Sequence, residues 1–252
     1  FIEVTELKKV FGNGADEVHA FGPATMNINA GEFVSILGPS GCGKSTLMLM
    51  VAGLLDSTSG KVEFESKLVK GPKTDIGIMF QDNTLVPWRT VRGNIELQLE
   101  LRGLNLKDYQ EQINNILKSV NLEDFAERFP NELSGGMQQR AAFCQAMIHD
   151  PKIILLDEPL GKLDAMTREK IRADFQKLWM VKKPTVIFVT HSIEEAVQLS
   201  SRVILITPRP GKIDREIKID LPYPRDLKVK RSTKFIEYVN LIQEVFHKYG
   251  VI

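Results

Sequence analysis

The chain has 252 residues, 43% of them hydrophobic and 26% charged, enough for one large domain or two small ones with a sizeable core. That balance excludes disordered and collagen-like classes. Thirty-three Lys and Arg against 32 Asp and Glu leave a net charge of +1, without the basic excess of a chain that neutralises many phosphates, so no nucleic-acid partner is expected. Two cysteines, Cys42 and Cys144, cannot form a disulfide framework and read as free thiols. The longest apolar run, residues 47–55, falls far short of the ~20 residues that cross a bilayer. With no secretory leader pattern, the expectation is a soluble cytosolic protein.

The first forty residues alternate as β-structure does, with residues 1–7 and 18–28 flanking the turn signal Gly12-Asn13-Gly14. Residues 33–37 read as a buried strand, 45–55 as a helix ending near Gly53, and 61–69 as another strand. From Val91 to about Phe129 apolar residues recur at helical spacing, which predicts two or three helices. Residues 130–136 break the pattern and 137–148 resume it. Residues 153–156, 185–189 and 203–207 read as strands, with a helical stretch at 168–177 between the first two. Near-continuously apolar strands alternating with helices imply a mainly parallel sheet covered on both faces. An antiparallel β-piece leads it and a helical insert at about 84–150 interrupts it. Pro208–Gly211 closes this pattern. Residues 208–252 carry ten Lys and Arg against six Asp and Glu, a stiff Leu221-Pro222-Tyr223-Pro224 linker and a final helix from Lys234. The local positive charge reads either as a solvated face or as a membrane-facing one.

Gly38-Pro39-Ser40-Gly41-Cys42-Gly43-Lys44-Ser45 matches G-x-x-x-x-G-K-[ST] at every position, after a predicted strand and before a predicted helix. Glycines let backbone N–H groups converge on phosphate oxygens, and a helix N-terminus adds a positive dipole end. Lys44 is placed for the β- and γ-phosphates and Ser45 for Mg²⁺. The pattern predicts nucleoside triphosphate binding. Downstream, Ile153–Leu156 runs into Asp157 and Glu158. An acidic strand end alone is common, but beside a P-loop Asp157 reads as the holder of Mg²⁺ and Glu158 as the group that orients and polarises the attacking water.

Leu133-Ser134-Gly135-Gly136-Met137-Gln138 resembles the L-S-G-G-Q-type signature of ABC transporter ATPases, with Met137 where Gln is commonest. The resemblance extends over roughly residues 1–210. It implies an α/β fold: a P-loop NTPase core with an N-terminal antiparallel β-subdomain and an inserted α-helical subdomain, followed by a short tail at 211–252. It implies ATP and Mg²⁺ as cofactors, with residues 38–46 including Thr46 in the phosphate cradle. Ser134, Gly135 and Gly136 would close the nucleotide of a second copy in a head-to-tail dimer, by analogy with a helix-N-terminus anion site. Gln81 resembles the Q-loop glutamine and would reach Mg²⁺. His191 resembles the switch histidine at the γ-phosphate, and Asp164 the D-loop aspartate, although Gly161 and Lys162 depart from the usual residues there. Phe11 stands at the adenine-stacking position with Val18 nearby; Phe11 reads equally as a core aromatic of the hairpin. His19, His149 and His247 lack metal-ligand spacing, and Cys144 reads as packing.

Within the family, one nucleotide domain without a membrane span implies a separate permease. The segment Leu85–Val91, with Pro87 and Trp88, would meet it, unless Trp88 packs between lobes. Leu85-Val-Pro-Trp-Arg-Thr-Val91, Pro208-Arg-Pro-Gly-Lys-Ile213 and Asp220-Leu-Pro-Tyr-Pro-Arg225 are similar to the importer branch that takes up nitrate, taurine and other sulfonates, bicarbonate or small precursors, with an extracytoplasmic solute-binding protein. The expected place is cytoplasmic, peripheral on the inner face of the membrane. The alternatives are an exporter ATPase, a soluble ABC protein that remodels a partner, and, from a different class, a P-loop kinase.

Overall fold

The computed structural model describes residues 1–82 and 84–251, without the side chain of Ala15; Asn83 and Ile252 lie outside the described residues. The chain forms two compact units, Phe1–Lys73 with Thr185–Ile252, and Thr74–Pro184.

In chain order the first unit holds β1 (Ile2–Phe11), β2 (Val18–Ile28), β3 (Phe33–Leu37), α1 (Lys44–Val51), β4 (Ser59–Phe64) and β5 (Lys67–Leu68). The second holds β6 (Ile76–Met79), α2 (Val91–Glu100), α3 (Gln110–Ser119), α4 (Gly135–Met147), β7 (Ile153–Asp157) and α5 (Ala165–Lys182). The chain then returns to the first unit as β8 (Thr185–Thr190), α6 (Ile193–Leu199), β9 (Arg202–Ile206), β10 (Ile213–Lys218), α7 (Leu227–Lys230) and α8 (Thr233–Lys248).

In the first unit β2-β1-β4-β5 make an antiparallel sheet, and strands run β10-β9-β3-β8 in a second sheet. There β3 is parallel to both β8 and β9, while β10 is antiparallel to β9. Every residue of β3 and β8 is buried, which explains their largely apolar sequences. Of their buried polar residues Ser35, Thr185 and Thr190, Ser35 is satisfied by the hydroxyl of Ser200. In the second unit β6 and β7 pair in parallel. At Gly77 of β6 a Cβ would lie 2.1 Å from the carbonyl oxygen of Ala146, so only glycine lets α4 approach this strand. The helices lock through stacked rings of Phe143 and Phe175, 4.1 Å apart. A buried Arg140–Asp174 ion pair joins the same two helices, α4 and α5.

Beyond Gly211 the structure differs from the sequence reading. The α/β pattern does not close there, because β10 adds an edge strand in which Ile217 alone is buried, so no apolar run marks it in the sequence. The 221–224 segment is no spacer. Ile217, Ile219 and Leu221, with Phe235, Ile242, Val245 and Phe246 of α8, form one core with Ala196 and Val197 of α6 and Leu37, Val203 and Leu205. Burial of this apolar face holds the tail down. Among the described residues no helix is long and apolar enough to cross a membrane.

Candidate nucleotide site

The first unit carries residues 38–46. Leu37 ends β3 opposite Thr190 of β8, so the loop that begins at Gly38 and the turn at His191 leave neighbouring parallel strands at the same edge. Ligands collect at the carboxyl ends of such strands. Gly43 is the residue before α1, in a left-handed conformation (φ 95°), and Gly41 has φ 75°. Both values favour glycine. A Cβ on Gly43 would lie 2.3 Å from the carbonyl oxygen of Ala20, so the loop rests directly on the backbone of β2. Lys44 is buried, and its ammonium donates to the carbonyls of Gly38 and Pro39, both at 2.9 Å. The cation is thereby held over the loop that carries it. Ser40, Gly41 and Ser45 are exposed and Pro39, Gly43 and Thr46 half-buried, whereas Cys42 is 1% exposed and faces inward. Helix α1 therefore offers its N-terminal end, a cation and a hydroxyl together, a constellation suited to phosphate.

His191 is exposed, directly after β8. The next residue, Ser192, caps α6 by accepting from the Glu195 N–H, and its own N–H donates to the Thr190 hydroxyl at 3.0 Å. Phe11 and Val18 pair across β1 and β2. They are 42% and 39% exposed, so Phe11 is not a core aromatic. The ammonium of Lys9 lies 5.0 Å from the Phe11 ring centroid.

The second unit carries the acidic and signature residues. Met79 of β6 lies opposite Leu156 of β7, so Gln81 and the pair Asp157 and Glu158 follow neighbouring parallel strands at one edge. Asp157 is 7% exposed and Glu158 takes a left-handed backbone (φ 43°), a strained setting for a non-glycine residue that re-aims the chain at the strand end. Ser134 caps α4 by accepting from the Met137 N–H at 3.3 Å, and Ser134 and Gly135 are exposed at that helix end. A Cβ on Gly136 would meet Thr167 of α5 at 2.4 Å. Asp164 caps α5, and its hydrogen bonds to Thr167 and Met166 hold its carboxyl below the usual carboxylate range. Lys162, at a position departing from the usual D-loop, is ion-paired with Asp82.

Trp88 is 78% exposed and therefore not packed. Its loop is nonetheless fixed, by a residue sequence reasoning missed. The buried Asn94 side chain accepts from the Val86 N–H at 2.7 Å and donates to the carbonyls of Val86, Arg89 and Thr90 at 3.0–3.1 Å. A polar residue on the inner face of α2 was the only available signal. His149 is half-buried beside Arg102, 3.1 Å away. Burial, then the neighbouring guanidinium, lower its pKa to about 4. Burial pushes the Cys144 thiol well up, consistent with a packing role. His19 and His247 are exposed.

Known proteins share this architecture. The family model for the ABC transporter matches residues 21–161. The taurine import ATP-binding protein TauB of Jannaschia sp. is 43% identical, over 87% of this chain and 84% of its own. The nitrate import ATP-binding protein NrtD of Synechocystis sp. is 39% identical, over 97% of this chain and 94% of its own. A dimeric ATP-binding cassette in a post-hydrolysis state, bound to ADP and Pi, superposes with a TM-score of 0.76 at 34% identity, covering 87% of this chain and 99% of that one. The chain belongs to the ABC transporter family, as one of its ATP-binding, ATP-hydrolysing cassettes.

Proposed function

We propose that this cassette drives import of a small anion or sulfonate-like solute, as the taurine and nitrate import proteins named above do by their names. The observation that carries the reading is the pairing of a complete phosphate cradle on α1 with a capped, exposed Ser134-Gly135 helix end on α4. Residues 1–210 act as the ATPase domain, with the helical subdomain at about 84–150 inserted, and 211–252 as its tail. Gly38 to Thr46 hold the phosphates of ATP, Phe11 stacks on the adenine and Val18 flanks it. Ser134, Gly135, Gly136 and Asp164 serve the nucleotide of a second copy, head to tail. The solved dimer of a related cassette supports the pairing of two copies.

Ser45, Gln81 and Asp157 supply hydroxyl, amide and carboxylate oxygens, the hard donor set that suits Mg²⁺. When bound, Mg²⁺ would neutralise phosphate charge. Glu158 orients the attacking water and polarises it, and His191 contacts the γ-phosphate. Closure on two ATP and reopening after hydrolysis would move two membrane permease subunits. The exposed Trp88, on a loop pinned by Asn94, is the contact for them, since exposed aromatics on fixed backbone make interface hot spots. The subunit is then cytoplasmic and peripheral on the inner face of the membrane, and an extracytoplasmic binding protein selects the solute.

Cysteine crosslinking from the exposed Trp88, rather than from the buried Leu85, to a co-expressed permease tests the transport reading. Crosslinks at that surface are expected, and their absence in an assembled, ATP-hydrolysing complex would overturn it.

A further inference from the structure

The tail segment Tyr223-Pro224-Arg225 has no part in the site just described, yet it holds the most deeply buried cation of the first unit. Arg225 is 2% exposed. Its Nη1 donates to the carbonyls of Val197 and Ser200 at 2.7 and 2.6 Å, and its Nη2 to those of Ile219 and Leu221 at 3.2 Å each. The guanidinium lies over the Tyr223 ring, 4.1 Å from its centroid. The Tyr223 hydroxyl donates to the carbonyl of Leu199 at 2.9 Å, and the Gln198 amide donates to the carbonyl of Arg225 at 3.3 Å. Burial raises the phenol to about 12, so it remains a donor across the working range.

Of these, the carbonyls of Val197, Leu199 and Ser200 are ones that α6 leaves unsatisfied at its C-terminal end, while those of Ile219 and Leu221 belong to the tail itself. A fixed cation there also complements the negative end of the helix dipole. Helix α6 has seven residues, too few to be stable by itself. Its other end begins with the Ser192 cap, immediately after His191. A short helix fastened by Arg225 and Tyr223 at one end therefore fixes the backbone from which His191 projects at the other.

We propose that Arg225, with Tyr223, is a positioning residue for His191: the tail clamps the C-terminal end of α6 and so sets where the switch histidine stands. The proposal rests on the reading of His191 as a γ-phosphate contact. It gives the tail a role in turnover without contact to nucleotide.

The test is steady-state Mg²⁺-ATP hydrolysis by the full chain, with nucleotide affinity measured separately with a fluorescent ATP analogue. Arg225→Lys keeps the charge but cannot span both carbonyl pairs. It is expected to lower kcat about tenfold with Kd within about twofold. Tyr223→Phe removes a single hydroxyl, keeps the ring over Arg225, and covers the case in which the lysine variant does not fold; about threefold in kcat is expected. Amide exchange should quicken across 193–200 and not across 38–47. In a His191→Ala background neither tail substitution should lower kcat further. Undiminished kcat in both tail variants, or the same factor lost in the His191→Ala background, would overturn the proposal. Wild-type turnover by His191→Ala alone would instead overturn the reading of His191 on which it rests.

Discussion

Gly43 and Gly41 offer a matched pair of perturbations in the phosphate loop. Both have positive φ, 95° and 75°, so alanine at either position costs about 1–2 kcal/mol in backbone strain. They differ in what a side chain would meet. At Gly41 nothing lies within 4 Å, whereas at Gly43 a Cβ would sit 2.3 Å from the Ala20 carbonyl oxygen and 3.1 Å from the Phe21 Cβ. That oxygen belongs to β2, held by its pairing with β1, and Phe21 is fully buried, so the loop rather than the strand must yield. Forced overpacking of this kind adds about 1–3 kcal/mol. Gly43→Ala is therefore expected to cost about 2–5 kcal/mol in all, and Gly41→Ala only its 1–2. For a protein of this size each kcal/mol lowers Tm by about 2–4 °C. Thermal unfolding without nucleotide reads the contrast directly. Titration with a fluorescent ATP analogue should show Gly43→Ala at least about tenfold weaker than wild type, because displaced loop N–H groups lose charge-assisted hydrogen bonds. Equal melting of the two variants, or wild-type affinity for Gly43→Ala, would refute the claim that β2 fixes the cradle.

Glu158→Gln should retain ATP binding while slowing turnover by two or more orders of magnitude, on the order expected for loss of a positioned general base; gel filtration with ATP and Mg²⁺ should then show a shift to dimer. Trp88→Ala should change stability by less than about 0.5 kcal/mol because the ring is exposed, yet weaken co-purification of the permease. Asn94→Ala strips four hydrogen bonds from the loop beneath Trp88 and should cost about 1–3 kcal/mol, seen as a lowered denaturation midpoint. His149 supplies a pH dependence. Its folded pKa is lowered from 6.5 to about 4, so the unfolded chain binds the extra proton in between, and stability falls as pH falls from 6.5 towards 4. After discounting for partial exposure the effect is about 1–2 kcal/mol. His149→Gln should remove it, and an unchanged pH profile of Tm in that variant would refute the assignment.

How much of this could be read beforehand follows from where the information lies. The loop 38–45 and the run 133–138 are local patterns whose residue types are dictated by backbone geometry, such as the positive φ of Gly41 and Gly43, so they are legible one residue at a time. The buried strands β3, β7 and β8 announce themselves by near-continuous apolar runs, because both faces are covered. The hairpin of β1 and β2 is legible from its Gly-Asn-Gly turn, although β1 runs on to Phe11, beyond the predicted Leu7. Asn94 was not legible, since its role depends on a loop eight residues upstream folding back onto α2.

The tail shows the same limit from the side of charge. A count of Lys and Arg against Asp and Glu treats Arg225 as one more solvated cation, whereas its guanidinium is buried against the backbone carbonyls of Val197 and Ser200 at the end of α6 and of Ile219 and Leu221 just after β10. Composition has no term for carbonyl acceptors, because every residue supplies one and only the fold decides which are left over. Pro222 and Pro224 likewise read as stiffness between two elements, but the neighbouring Leu221 and Tyr223 are packed, so the stiffness serves to aim Arg225 rather than to space the final helix. The positive balance of the tail is therefore not all available to a membrane surface: one of the ten cations of residues 208–252 is held inside the protein, and Lys234, paired with Asp220 at 2.8 Å, is partly neutralised at the surface. A purely electrostatic account of the tail predicts that salt changes its function; the buried contacts predict that shape does. Turnover by Arg225→Lys, which leaves charge untouched, separates the two.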